Sequence, residues 1–63
     1  MFEKHRLYYS VEVADEYDDS IYNFVCSYST FTDAKQKVDE LLLQNGEKKY
    51  RILKVEKFVE EVQ

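Results

Sequence analysis

The chain has no proline, a single glycine (Gly46), a single cysteine (Cys26) and a single histidine (His5) among its 63 residues. Each shortage closes off a class of chemistry. One cysteine cannot build an intrachain disulfide framework or a multi-cysteine zinc site. One histidine, with no second histidine or cysteine at ligand spacing, leaves no metal motif. One glycine cannot supply the flexible loop that cradles phosphate. Long apolar runs are missing as well. The clearest is Leu41-Leu42-Leu43, far short of the ~20 residues of a membrane-spanning helix. The opening six residues, Met1 to Arg6, lack the apolar stretch of a signal peptide. The chain is therefore expected in the cytoplasm, with no membrane partner, no metal and no cofactor.

What is present points to a folded domain. Hydrophobic residues make up 44% of the chain and include six Tyr and four Phe, too many for a disordered segment. The length allows one domain, spanning residues 1–63. A chain this short buries only ~60% of its unfolded surface, so dimerisation or docking to a partner would relieve a thin core. The net charge is −4. Phosphate backbones and anionic membranes need a basic stripe, so direct binding to nucleic acid is not expected. A basic surface on a larger protein fits the sign.

Punctuation must come from Asp, Asn and Ser. Residues 5 to 14 alternate, with Leu7, Tyr9, Val11 and Val13 on one side and Arg6, Tyr8, Ser10 and Glu12 on the other. Period two with β-branched and aromatic residues predicts a strand. The polar cluster Asp15 to Ser20 follows as a turn. A second strand is predicted over residues 21–29, with Tyr22, Phe24, Cys26 and Tyr28 as the core face and Ile21, Asn23, Val25 and Ser27 opposite. Thr30-Phe31-Thr32-Asp33 matches a capping box with Thr30 as N-cap. Phe31, Ala34, Val38, Leu41 and Leu42 then recur at helical spacing, predicting a helix over 31–44. Asp33 and Lys37, and Lys35 and Asp39, form supportive pairs four residues apart. Asn45-Gly46 provides the stop, with Gly46 able to take a positive φ.

A third strand is predicted from residue 49 to about 59. Its apolar phase slips at Ile52-Leu53, which implies a bulge or a strand apolar on both faces. Val55, Phe58, Val59 and Val62 also fit a short helix, but without a cap the strand is preferred. The order β-β-α-β makes strand 3 parallel to strand 2 and antiparallel to strand 1. The expected fold is α+β: a three-stranded antiparallel sheet, order 2-1-3, with one helix on one face and the other face uncovered.

Catalytic groups are scarce. His5, between Lys4 and Arg6, would need an oriented partner and a cleft to act as a general base, and reads as a solvated or edge histidine. Cys26 reads as a structural thiol. No catalytic residue is assigned, and the chain is not expected to be an enzyme. The candidate partner-binding residues are Asp15, Glu16, Tyr17, Asp18 and Asp19 in the turn, with Tyr8, Ile21 and Val25 as an exposed apolar patch that would serve as a dimer face or partner face. The acidic stretch lacks the glycine and terminal glutamate of a calcium loop. It is either a solvated turn or a contact for a basic site, and Tyr17 in its midst favours contact.

The segments Asp15-Glu16-Tyr17-Asp18-Asp19, Thr30-Phe31-Thr32-Asp33-Ala34 and Tyr50-Arg51-Ile52-Leu53 mark out a hairpin, an acidic turn, a Thr-capped helix and a last strand. That layout resembles small phage-encoded inhibitors of host enzymes, among them inhibitors of bacterial RNA polymerase and of uracil-DNA glycosylase. The resemblance covers most of the chain and is one of organisation. It implies a non-enzymatic protein that binds and blocks a host enzyme in the host cytoplasm, in some cases by imitating nucleic-acid charge. The expectation is thus a protein-binding module whose partner is a larger protein with a basic surface. The alternative is a small structural homodimer or accessory subunit.

Overall fold

In the computed structural model the backbone is described for residues 2–61 and side chains for residues 4–60. Strand β1 spans Phe2–Ala14, β2 spans Tyr22–Tyr28, helix α1 spans Phe31–Gln44 and β3 spans Tyr50–Glu61. The sheet is antiparallel with order β2-β1-β3. This is the expected α+β layout. The last segment is strand as far as Glu61; Val62, invoked for the helical alternative, lies outside the described residues.

The alternating segment becomes the central strand because both of its neighbours can pair with it at once. Its two sides differ in extent. β3 pairs with β1 from Phe2↔Glu61 to Val13↔Tyr50 without a shift in register. β2 pairs only with Tyr9 to Ala14. The 13 residues of β1 extend over ~43 Å. The 14 residues of α1 extend over only ~21 Å. β2 and α1 therefore cover the same half of the sheet. The other half of β1 and β3 projects as a two-stranded arm.

The helix begins where the sequence places it. Thr30 has extended backbone angles, and its Oγ1 accepts a hydrogen bond from Asp33 N at 3.3 Å. Lys35 Nζ lies 3.6 Å from Asp39 Oδ1, as expected, but Lys37 turns to Glu40 Oε1 at 3.6 Å instead of Asp33. The helix end departs from expectation. Asn45 is the cap, with extended angles; its N–H donates to Leu41 O at 2.9 Å and its side-chain oxygen accepts from Glu47 N. No described residue has a positive φ, Gly46 included. Asparagine closes the turn by itself, so glycine's conformational freedom is not needed there.

The side of β1 with Tyr9, Val11 and Val13 receives the helix. Phe31 meets Tyr9 edge-on, ring centroids 5.9 Å apart. Val11 on the central strand and Ala34 on the helix are the only fully buried apolar residues among those described. A small residue at 34 lets the helix sit close to the sheet.

Two features of the strands differ from the expected pattern. The slip at Ile52-Leu53 is not a bulge: pairing is regular there, and the strand is apolar on both faces. The bulge is in β2. Val11 pairs with Cys26 and Glu12 with Phe24, leaving Val25 as the extra residue. A bulge reverses the phase of a strand beyond it. Cys26 and Tyr28 therefore face the helix, whereas Tyr22 and Phe24 face the uncovered side. The expected single aromatic face of Tyr22, Phe24, Cys26 and Tyr28 is split in two. Phe24 is accordingly 64% exposed.

The two helix ends make a paired prediction. Thr30→Ala removes a used cap and should lower stability by ~1 kcal/mol. In Gly46→Ala the added Cβ meets Leu42 O at an ordinary 3.4 Å, and stability should stay level or rise by up to ~1 kcal/mol. Urea unfolding of both variants checks this; a clear loss in Gly46→Ala contradicts the Asn45 cap.

Candidate functional site

The acidic turn is a built structure rather than a loose loop. Asp15 N donates to Ile21 O at 2.8 Å, and Ile21 N donates to Asp18 O at 3.0 Å. The Asp15 carboxylate accepts from Tyr17 N at 3.0 Å and from Asn23 Nδ2 at 3.2 Å. The Asp18 carboxylate accepts from Ser20 N at 2.9 Å and from Ser20 Oγ at 2.6 Å. These are Asx-type turns, in which a short acidic side chain replaces the backbone acceptor that a turn requires. The hydrogen bonds favour the charged form. Asp15 is held below the usual carboxylate range chiefly by Tyr17 N–H, then by Asn23. Asp18 is held low by the Ser20 hydroxyl and amide.

Two of the four acids are thus structural, and they present the others. Glu16 and Asp19 are exposed, with Asp19 3.7 Å from Lys49 Nζ. Tyr17 is 91% exposed. Ala14 N donates to Lys49 O at 2.8 Å, tying this tip to the start of β3. A depression lies between the tip and the loop after α1, lined by Asp15, Glu16, Asp19, Asn23, Lys48 and Lys49 among others. Its charge is mixed, and it is open to solvent. Among the described residues no group of His, Cys, Asp and Glu is arranged to hold a metal ion.

The remaining candidates do not join the tip in one patch. Ile21 is exposed at its base. Val25 occupies the bulge. Tyr8 lies opposite Val55, beyond the reach of β2, which ends with Tyr28 opposite Tyr9. Six residues of strand, ~20 Å, separate Tyr8 from Ala14 at the tip. The expected contiguous patch of Tyr8, Ile21 and Val25 is therefore absent. Two surfaces replace it: the tip, and the uncovered face of the sheet.

That uncovered face contains residues that the sequence reading left out. Phe24, Tyr22, Leu53 and Val55 lie on it with Tyr8. Arg51 binds Glu12 through Nη2 at 2.7 Å and Nε at 2.8 Å, and its guanidinium stacks 4.0 Å above Tyr22. Lys57 Nζ lies 5.7 Å above the Tyr8 ring. Farther along the arm, Arg6 sits directly opposite Lys57. The sequence carries one signal for this: Arg6, Tyr8 and Glu12 share a phase on β1, and the pairing Ser10↔Leu53 brings Leu53 to the same face. The placement of Phe24 had none, since neither glycine nor proline marks the bulge.

His5 and Cys26 have structural contacts. His5 Nε2 lies 2.9 Å from Glu56 Oε1, and its ring stacks on Phe58 with centroids 4.7 Å apart. Cys26 is half-buried beside Tyr28. Hydrogen bonding to Cys26, with burial, pushes the Tyr28 hydroxyl up from its ordinary value. No described helix is long and apolar enough to cross a membrane. No family pattern, characterised protein or solved structure matches the chain.

The carboxylates of the tip define a pH test. Both Asp15 and Asp18 have lowered pKa values in the folded state. Their contribution is present above the unfolded-state value near 3.8 and is lost as pH falls through the folded-state value. Wild type should therefore lose stability below pH ~4, and Asp15→Asn together with Asp18→Asn should flatten that slope. Thermal unfolding between pH 2 and 6 reads it, and parallel slopes would show that the tip does not contribute.

Proposed function

We propose that the protein is a non-enzymatic protein-binding module that presents the rigid acidic tip to a basic site on a larger protein, occupying that site as an inhibitor does. The observation that supports the reading is the division of labour within residues 15–20. Asp15 and Asp18 are consumed in holding the turn, while Tyr17, at 91% exposure, is displayed with nothing of its own chain to cover it. A solvated turn needs no aromatic ring at its apex. An interface does, because a tyrosine supplies a large, amphipathic contact at low conformational cost. Preorganisation serves the same end. A tip already fixed by four side-chain hydrogen bonds and backbone ties loses little freedom when it docks.

Charge supplies the other half. Glu16 and Asp19 flank Tyr17 without taking part in the turn's own hydrogen bonds. They draw a basic surface in and set the register, affecting association rate and its salt dependence more than the final affinity.

The test is capture of a partner by the tagged full-length chain from a bacterial lysate, side by side with Tyr17→Ala and with Glu16→Lys/Asp19→Lys. A specific partner should be recovered by wild type, be held ~30-fold or more weakly by Tyr17→Ala, and associate more slowly with the charge-reversed chain. Recovery of nothing that depends on Tyr17 would refute the reading.

A further inference from the structure

We infer that the uncovered face of the sheet binds single-stranded nucleic acid, its cations meeting phosphates and its aromatic rings meeting bases. Both the surface and the occupant differ from those of the proposed function. The contacts are to phosphates and base faces, which RNA and DNA share.

Charge is divided between the two faces of the sheet. On the uncovered side Lys4 pairs with Val59, Arg6 with Lys57, Tyr8 with Val55, Ser10 with Leu53 and Glu12 with Arg51. Among the described side chains, that side therefore holds Lys4, Arg6, Lys57 and Arg51 against the carboxylate of Glu12, which Arg51 neutralises at 2.7 Å. The acids lie mostly elsewhere. Glu56, opposite Leu7, and Glu60, opposite Glu3, are in the helix-side phase. Asp33, Asp39 and Glu40 belong to α1. Asp15, Glu16 and Asp19 line the depression on the helix side with Asn45 and Glu47. The pair Phe2↔Glu61 closes the strand two residues beyond Lys4, past the basic stretch. A net charge of −4 argues against a polyanionic partner only when it is spread evenly. Here successive side chains of each strand project to opposite faces, and exposed charges more than ~8 Å apart are largely screened at physiological salt. A phosphate chain in front of the sheet meets the cations first.

The rings select a single strand. Phe24 is 64% exposed and shares a row of the sheet with Arg51, since both lie opposite Glu12. The Arg51 guanidinium stacks 4.0 Å from the Tyr22 ring centroid, and Lys57 Nζ lies 5.7 Å from that of Tyr8. Exposed rings and guanidinium planes are platforms on which unpaired bases of any identity stack. Arg6 and Lys57, directly opposite each other, repel when left alone; a phosphate between them relieves that repulsion. Cations toward one end and rings toward the other lie along ~33 Å of β1 from Lys4 to Ala14, room for several nucleotides. A duplex suits this face poorly. Its bases are stacked on one another and offer no free plane to Phe24, and a groove around the arm would bring Glu56 and Glu60 toward its phosphate walls. An anionic bilayer attracts the same cations, but its headgroups hold no planar partner for the rings.

Fluorescence anisotropy of a labelled oligothymidylate, titrated with the full chain at low salt, tests this. Wild type should bind it, with log Kd rising against log salt at a slope of ~2, as about three phosphate contacts require. Arg6→Glu/Lys57→Glu should weaken binding ~10-fold or more and bring the slope below ~1. Phe24→Ala should weaken binding ~10-fold and leave the slope unchanged. Both positions are exposed, and circular dichroism should show each variant folded. A duplex of the same length should bind more weakly than the single strand, and vesicles of phosphatidylcholine with phosphatidylserine should not displace it. No binding by wild type, equal affinity for the duplex, displacement by the vesicles, or a folded Phe24→Ala variant that binds as tightly as wild type each overturns the inference. Tyr17→Ala should bind the oligonucleotide as wild type does, so a failure here is separable from a failure of partner capture.

Discussion

A helix of 14 residues cannot shield a strand of 13. Helical residues advance ~1.5 Å each and strand residues ~3.3 Å, so α1 reaches along only half of β1. The thin core and the projecting arm follow from that mismatch. The half of the sheet beneath the helix contains Val11, the largest fully buried side chain among the described residues. The other half is a two-stranded arm with solvent on both faces. Two-stranded ribbons are marginal alone. Here the arm is a continuation of strands already anchored in the sheet, reinforced by the His5–Glu56 contact and the stacking of His5 on Phe58.

The bulge at Val25 is the second determinant. Without it, Tyr22 and Phe24 would join Cys26 and Tyr28 on the helix side of the sheet. With it, the edge strand contributes two aromatic rings to the side that no element of the chain covers. Tyr22 is partly satisfied there by Arg51, which also neutralises Glu12. Phe24 has no such cover. A single extra residue thus adds Tyr22 and Phe24 to a bare side that already holds Tyr8, Leu53 and Val55.

The tip holds four of the 13 acidic residues within five positions, and Asp15 and Asp18 make it rigid. The arm carries both signs: Arg6 stands opposite Lys57, and the Glu56 carboxylate meets His5. The long outer edge of β3 is interrupted by Arg51, Lys54, Glu56 and Lys57, which discourages indiscriminate strand addition.

Local signals were legible in the sequence. Alternation located β1, the Thr30 capping box located the start of α1, and the β-β-α-β order with a short first connection required β1 to be central. The clustered aspartates announced a turn. These features were readable because each depends on neighbours within about four residues. What the sequence could not convey was the register of β2 on β1, and with it the face on which Phe24 lies; pairing across strands is chosen by the sum of contacts on both faces, and no local residue marks Val25 as the extra one. For the same reason Tyr8 could be assigned to a face but not to its true neighbours. Composition and spacing alone determined that the chain is one small α+β domain with an acidic turn. Tertiary pairing alone decided which side chains share the uncovered face, because that choice depends on the register of β2 on β1, which the bulge at Val25 shifts.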